Sequence, residues 1–277
     1  MFKSSVTSKI YSLLCLFTLA CGSHENTENK ELISHPVDSD YNDYLYQYSI
    51  IDALLAGVYD GTMTFGEIKS KGNLGLGTFN RIDGELFMND GEVFKIRYDG
   101  SVHPVNDSEQ TPLAFVKHFQ PDTIFEWSGN AINYEQFEEW IGNNLHSNEL
   151  YAIRISGPFS RMHTRAPAPA QKPYPPLVDY LADNQHEFTF EETLGVAVGF
   201  YLPEYIDRMN VPGFHFHYLS EDQQSGGHIL DFETNRLKVE VDKASGVILE
   251  NMDNRDFLNA DLVKDRGNEM NTVERGR

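Results

Sequence analysis

Three of the chain's ten histidines fall in one short stretch, residues 213–232 (GFHFHYLSEDQQSGGHILDF). His215 and His217 are two positions apart. That spacing puts both imidazoles on one face of a β-strand, whereas on a helix they would diverge by roughly 200°. SEDQQSGG is a run of turn formers, and His228 begins a second apolar run, ILDF. A turn centred on residues 222–223 puts His217 opposite His228, with Cβ atoms about 5 Å apart and His215 as the diagonal neighbour. Three imidazoles converging on one point make a metal site that keeps a position open for water or substrate. The alternative is three unrelated sheet histidines, and their common register argues against it.

Other elements must hold this hairpin in place. Residues 46–58 (YQYSIIDALLAGV) carry apolar side chains at 50, 51, 54, 55 and 58, a helical spacing. A shorter helix is predicted over 65–71, ended by Gly72. Asp-Gly then recurs at 83–84, 90–91 and 99–100 between alternating apolar residues. Because such two-residue turns need positive φ, residues 72–105 read as a β-meander of about four strands. Residues 134–145 predict a helix with Phe137, Trp140 and Ile141 on one face and Asn133 as its cap. Residues 150–156 and 188–202 read as strands, and the proline-rich stretch 166–176 (APAPAQKPYPP) as a crossover between them. After the histidine hairpin, 237–241 and 247–249 read as strands around a Ser245-Gly246 turn.

The N-terminus reads as an export signal. Lys3 and Lys9 precede an apolar run over 10–20 (IYSLLCLFTLA) that is too short to span a bilayer as a mature helix. Thr18-Leu19-Ala20-Cys21 resembles the lipobox of bacterial lipoproteins, with Thr18 departing from the usual leucine. Of the two cysteines, Cys15 lies inside the signal, so Cys21 is left without a disulfide partner and acylation would give it a purpose. The expected organisation is a signal over 1–20, a polar, acidic tether over 21–42, and a folded remainder suited to one two-part domain or two small ones. The net charge of −20 argues against nucleic-acid binding. It also requires any anionic substrate to be drawn in by a local positive centre.

Three blocks, LGLGTFNRIDGELF, TRAPAPAQKPYPPL and GFHFHYLSEDQQSGGHILDFE, resemble successive parts of the bacterial α-acetolactate decarboxylases, and the likeness runs from about Tyr46 to the C-terminus. The resemblance implies an α+β, β-rich fold. A mixed-sheet N-terminal domain with helices would occupy residues 43–186, and a smaller β-rich domain carrying the metal hairpin residues 187–277. It also implies a homodimeric zinc enzyme that converts (S)-2-acetolactate to (R)-acetoin and CO2. Carried over residue by residue, the zinc ligands are His215, His217 and His228, and the catalytic groups are Glu85, Arg165 and Glu274. Thr78 would contact the substrate. Glu269 is the rival of Glu274, because the last stretch, NEMNTVERGR, matches the family poorly.

These residue types suit that chemistry. Loss of CO2 from a carboxylate β to a ketone leaves an electron pair that must pass into the ketone as an enediolate. Three neutral ligands leave a divalent metal its full charge for stabilising that species. An arginine can orient the departing carboxylate, and a glutamate can deliver the final proton. Two other classes remain open at this point: an exported zinc hydrolase or cupin-like metalloenzyme, for which Glu221 would be a candidate ligand, and a lipid-anchored binding protein with a structural metal.

Overall fold

The computed structural model describes residues 39–275. From the N-terminal side the chain forms β1 (Tyr44–Tyr48), α1 (Ile51–Leu55), β2 (Met63–Thr64), α2 (Phe65–Lys69), β3 (Leu74–Thr78), β4 (Glu85–Asn89), β5 (Glu92–Ile96) and β6 (Val102–Pro104). It continues through β7 (Gln110–Thr111), β8 (Ala114–Lys117), β9 (Thr123–Asn133), α3 (Tyr134–Gly142), β10 (Leu150–Pro167), α4 (Leu177–Asn184) and β11 (Gln185–Leu202). The last elements are β12 (Gly213–Ser220), β13 (Gly226–Ala244), β14 (Gly246–Glu250), α5 (Arg255–Asn259) and α6 (Gly267–Arg275). Cys21, the expected signal and the expected tether up to residue 38 lie outside the described residues, whereas residues 39–42, taken as the end of that tether, belong to a short 3-10 helix, Ser39–Asp43, that leads into β1.

Two sheets dominate. A seven-stranded sheet runs β14-β1-β8-β3-β4-β5-β6, mixed because β14 joins β1 in parallel. A five-stranded antiparallel sheet runs β10-β11-β12-β13-β9, and β10 also pairs with β13, which closes four of its strands on themselves. The two-residue period of the strands decides what lies between the sheets. Leu74, Leu76, Phe87 and Phe115 of the first sheet share a core with Ala152, Val198 and Phe200 of the second, and with residues of α1, α4 and α6. The alternate residues Phe216, Tyr218, Val239 and Val241 face away and pack beneath Phe137 and Ile141 of α3. His215, His217 and Glu85 have the parity of the inner set.

The meander β3–β6 follows its Asp-Gly punctuation. Asp90 and Gly91 both have positive φ, 50° and 82°, as a two-residue hairpin turn requires. α3 begins with a capping box between Asn133 and Gln136.

Four expectations need correction. Residues 46–58 are not one helix: β1 occupies the first part, Ser49 turns with φ 65°, and only α1 is helical. β1 lies between two strands and is buried on both faces, so its continuous apolar run imitates a helix face. β14 does not fold back on β13 at Ser245-Gly246 but crosses to β1, because Ser245 N–H donates to the Asp43 carbonyl. The strand expected over 150–156 runs on to Pro167, and α4 follows the proline stretch. Finally, the five-stranded sheet takes β9 and β10 from one side of residue 186 and β12 and β13 from the other, so the boundary at 186/187 falls inside β11. The described residues belong to one compact unit.

Candidate active site

His217 on β12 lies directly opposite His228 on β13. β12 and β13 pair over only three positions, His217–His228, Tyr218–Gly227 and Leu219–Gly226. Beyond them β12 stays with β11 and β13 with β10, so the histidines sit where two strands part. Close approach is needed here: Gly227 has φ +136°, and a Cβ on it would meet the Arg165 carbonyl at 2.6 Å. The β10–β13 register shifts between His163 and Thr164, and past that irregularity Arg165 stands opposite His228.

The nitrogens offered by the three histidines lie within 4.8 Å of one another, and all three residues are buried. Backbone carbonyls set two of the ring orientations. His217 Nδ1 lies 2.6 Å from the Leu86 carbonyl, so Nδ1–H donates and Nε2 keeps its lone pair. His228 Nε2 lies 3.1 Å from the Glu274 carbonyl, which leaves Nδ1 as the free nitrogen, 3.1 Å from His215 Nε2. Such outer hydrogen bonds to carbonyls fix the tautomer of metal-binding histidines. Burial drives His215 down to about 3 and the other two well below the usual histidine range, and the Arg165 charge adds to this. Three neutral imidazoles crowded on one point can satisfy few of their lone pairs among themselves, and a divalent cation would accept all three. The donor set therefore fits such an ion.

Two carboxyl groups flank the histidines. Glu85 opens β4 opposite Thr78, and its Oε2 is 3.4 Å from His217 Nε2. Burial pushes its carboxyl up to about 8, with Arg165 opposing and Glu274 adding. Glu274 comes from α6, its Oε2 3.5 Å from His215 Nε2 and 3.9 Å from His228 Nδ1. Burial raises its carboxyl too, against the pull of Arg165. Glu269 instead gives its carboxylate to Lys264 and Arg266 and does not line the cavity.

Arg165 is buried; its Nη1 donates to Gln185 Oε1 at 2.9 Å, and its Nε has no partner. Thr78 Oγ1 donates to the Gly84 carbonyl at 2.8 Å, which fastens the turn leading into Glu85. All these side chains line one cavity, walled by Ile51 and Leu54 of α1, Leu177 and Leu181 of α4, and Val273 of α6. A second cavity on the α3 side, lined by Tyr134, Phe214 and Asp231, shares His215, His228 and Glu274 with the first. Glu221, the cupin-like alternative, is exposed at the hairpin turn.

Sequence reasoning did not find Gln185, the carbonyls of Leu86 and Glu274, or the wall supplied by α4. Leu177 and Leu181, four apart after a proline run, were a signal for α4. Gln185 carried none.

A β-rich protein with a buried three-nitrogen donor set that could hold a cation, two carboxyl groups and a guanidinium around one cavity has the groups of an enzyme that handles developing negative charge. The chain is a member of the alpha-acetolactate decarboxylase family, whose family model matches residues 45–264. It is 36% identical over 255 residues to the alpha-acetolactate decarboxylase of Methanosarcina mazei, covering 92% of this chain and 88% of that one. With the Bacillus licheniformis enzyme of the same name it shares 38% identity over 237 residues, 85% of this chain and 92% of the other. The crystal structure of alpha-acetolactate decarboxylase from Bacillus subtilis strain 168 superimposes with a TM-score of 0.82 at 35% identity, covering 84% of this chain and 99% of that one. Glu274 lies beyond the matched residues, and its place in the site comes from the geometry of α6.

Proposed function

We propose that this chain is a carboxy-lyase that converts (S)-2-acetolactate to (R)-acetoin and CO2, with zinc held by His215, His217 and His228. The observation that carries this reading is a cavity of a decarboxylase-family chain in which three neutral imidazoles, two carboxyl groups and a guanidinium with no ion pair among the described residues converge. Zinc, when bound there, supplies Lewis acidity where negative charge develops.

The protein's own groups divide the remaining work. Arg165 holds the substrate carboxylate through paired hydrogen bonds and fixes the bond that will break. That carbon–carbon bond cleaves, CO2 leaves, and the electron pair passes into the neighbouring ketone as an enediolate. One proton delivered to the carbon that lost CO2 then completes acetoin. Glu85 is placed to deliver it, and Glu274, on the other side of the histidines, holds the opposite edge of the cavity. The apolar wall from α1, α4 and α6 keeps bulk water from protonating the enediolate on either face.

The deciding assay feeds 2-acetolactate to purified protein with and without chelator. Acetoin and CO2 in equal amounts, lost with chelator and restored by zinc, is the expected result. Acid release without CO2 would indicate a hydrolase, and metal-loaded protein without turnover a binding protein.

We further propose that Cys21 is acylated and tethers the exported chain to a bacterial membrane, on the strength of Lys3, Lys9, the apolar run and the Thr18–Cys21 sequence. Cys21→Ser should release active protein into the soluble exported fraction. Wild type already soluble, with its mature N-terminus elsewhere, overturns this. The active form is a homodimer on the same family reading, and sedimentation showing only monomer would remove that element.

A further inference from the structure

Arg165 presents an unusual balance. It is 5% exposed, yet it forms no ion pair with any described carboxylate, and Glu85 and Glu274 feel its charge only from beyond contact distance. A guanidinium taken out of water ordinarily needs a charged partner, because its desolvation cost is otherwise uncompensated. Its one hydrogen bond among the described residues is to a neutral amide, Gln185 Oε1, at 2.9 Å. The orientation of that amide is dictated by chemistry: a guanidinium only donates, so the oxygen must face it and the NH2 group must face elsewhere. Among the described residues that NH2 group has no partner, and Gln185 lines the same cavity as the histidines.

The placement is built by the fold. Gln185 is the first residue of β11, immediately after α4, and stands opposite Pro167, two residues along β10 from Arg165. Arg165 itself is opposite Glu187, but that carboxylate bonds to His163 Nε2 at 3.0 Å and not to the guanidinium. The acid nearest in register is thus engaged by the histidine two residues back along β10, and the neutral residue reaches the arginine.

We propose that Gln185 is a positioning residue that orients Arg165 for an anionic substrate group while leaving its charge unneutralised. Resting on the decarboxylase reading, the group is the carboxylate lost as CO2. A neutral acceptor suits this role for a physical reason. A glutamate at 185 would reach the same nitrogen, pair with the guanidinium and compete with the incoming carboxylate. An apolar residue would leave the guanidinium without an orienting bond.

The test compares Gln185→Glu and Gln185→Met in metal-loaded protein, with metal content checked by elemental analysis. Two inhibitors serve as probes: 2-hydroxy-2-methylpropanoate, which is anionic, and acetoin, which is neutral. Gln185→Glu should raise KM and weaken the anionic probe by roughly 10- to 100-fold, the scale of one charge-assisted hydrogen bond, with acetoin binding unchanged. Gln185→Met should lower kcat by about tenfold with a smaller change in KM, because the guanidinium keeps its charge and loses its direction. Equal weakening of both probes in Gln185→Glu would show a merely structural role and overturn the proposal, as would wild-type constants in both variants. If either variant fails to fold, Gln185→Asn serves instead, since it keeps the amide one methylene short and should lose kcat without losing selectivity for the anion. Probe selectivity is read without turnover, so a wild type that forms no acetoin sinks the decarboxylase reading and leaves this test intact.

Discussion

Two of the buried polar clusters between the sheets, each made of described residues, are built on opposite plans. In the first, Lys117 of β8 faces Asp242 of β13, both side chains 2% exposed. Lys117 Nζ reaches both carboxylate oxygens at 2.8 Å, and Asp242 Oδ2 also accepts the Gln120 N–H at 2.7 Å. Burial still holds Asp242 above the usual carboxylate range despite the lysine, which shows how costly such a pair is to enclose. In the second cluster, around the histidines, satisfaction stops short. Of five buried side-chain polar atoms without a partner among the described residues, three are Arg165 Nε, His215 Nδ1 and Glu274 Oε2. Buried polar groups are nearly always paired, so unpaired ones gathered in one place mark where a ligand completes the bonding. One cluster is closed and specifies how the sheets dock. The other is left open for chemistry.

The largest effect is expected at the three histidines, the proposed metal ligands. His217→Ala with His228→Ala should remove bound metal, expected at about one equivalent per chain, because one imidazole cannot hold the ion. Activity should fall by about three orders of magnitude or more, since a Lewis acid contributes several kcal/mol at about 1.4 kcal/mol per decade. Elemental analysis and acetoin assay on the same sample check both, and full metal content in the double variant would refute the ligand assignment.

Next comes Glu85→Gln. The volume is kept but no carboxylic proton is available, so kcat should fall by roughly 10²–10⁴. Thermal stability should hold or rise, because a buried carboxyl has been replaced by a neutral group. An unchanged kcat with unchanged product chirality removes Glu85 from the reaction. Deleting residues 274–277 should likewise leave the melting temperature nearly unshifted and activity strongly reduced. Val273 and Met270 still bury α6 against the core.

The closed cluster predicts the reverse. Lys117→Met leaves the buried Asp242 without its cation, and should lower unfolding free energy by about 3–5 kcal/mol in a denaturant titration. Activity per folded molecule should not change. Adding Asp242→Leu should restore most of the loss, because a well-packed apolar pair replaces the ions. Additive destabilisation in the double variant would mean that the pair does not act as a unit.

The smallest effect is expected at the cap of α3. Asn133→Ala removes the capping box of α3 and should cost about 1 kcal/mol of stability with no change in kcat.

How far the sequence reached depended on the range of the interactions concerned. Turn length and the period of a strand are local, so the opposition of His217 and His228, the Asp90-Gly91 turn and the Asn133 cap could be reasoned from neighbouring residues. Glu85, Arg165 and Glu274 were legible only through family resemblance, since nothing in their own surroundings in the chain marks them. Composition alone likewise showed the chain to be strongly acidic, with a net charge of −20.

Only the tertiary structure decided the rest. Whether β1 was strand or helix depended on burial by β14 and β8, strands about 200 and 70 residues away in sequence. A strand enclosed on both faces loses the alternation that would identify it. That Glu274 and not Glu269 stands beside the histidines depended on which face of α6 met them and which met Lys264 and Arg266. The tautomers of His217 and His228 were set by carbonyls of Leu86 and Glu274, and the aim of Arg165 by an amide on the next strand. Main-chain carbonyls are the same at every residue, so no sequence pattern records which of them will face an imidazole. The residue types were present in the chain from the start; their burial, their proton positions and their missing partners came from packing two sheets together.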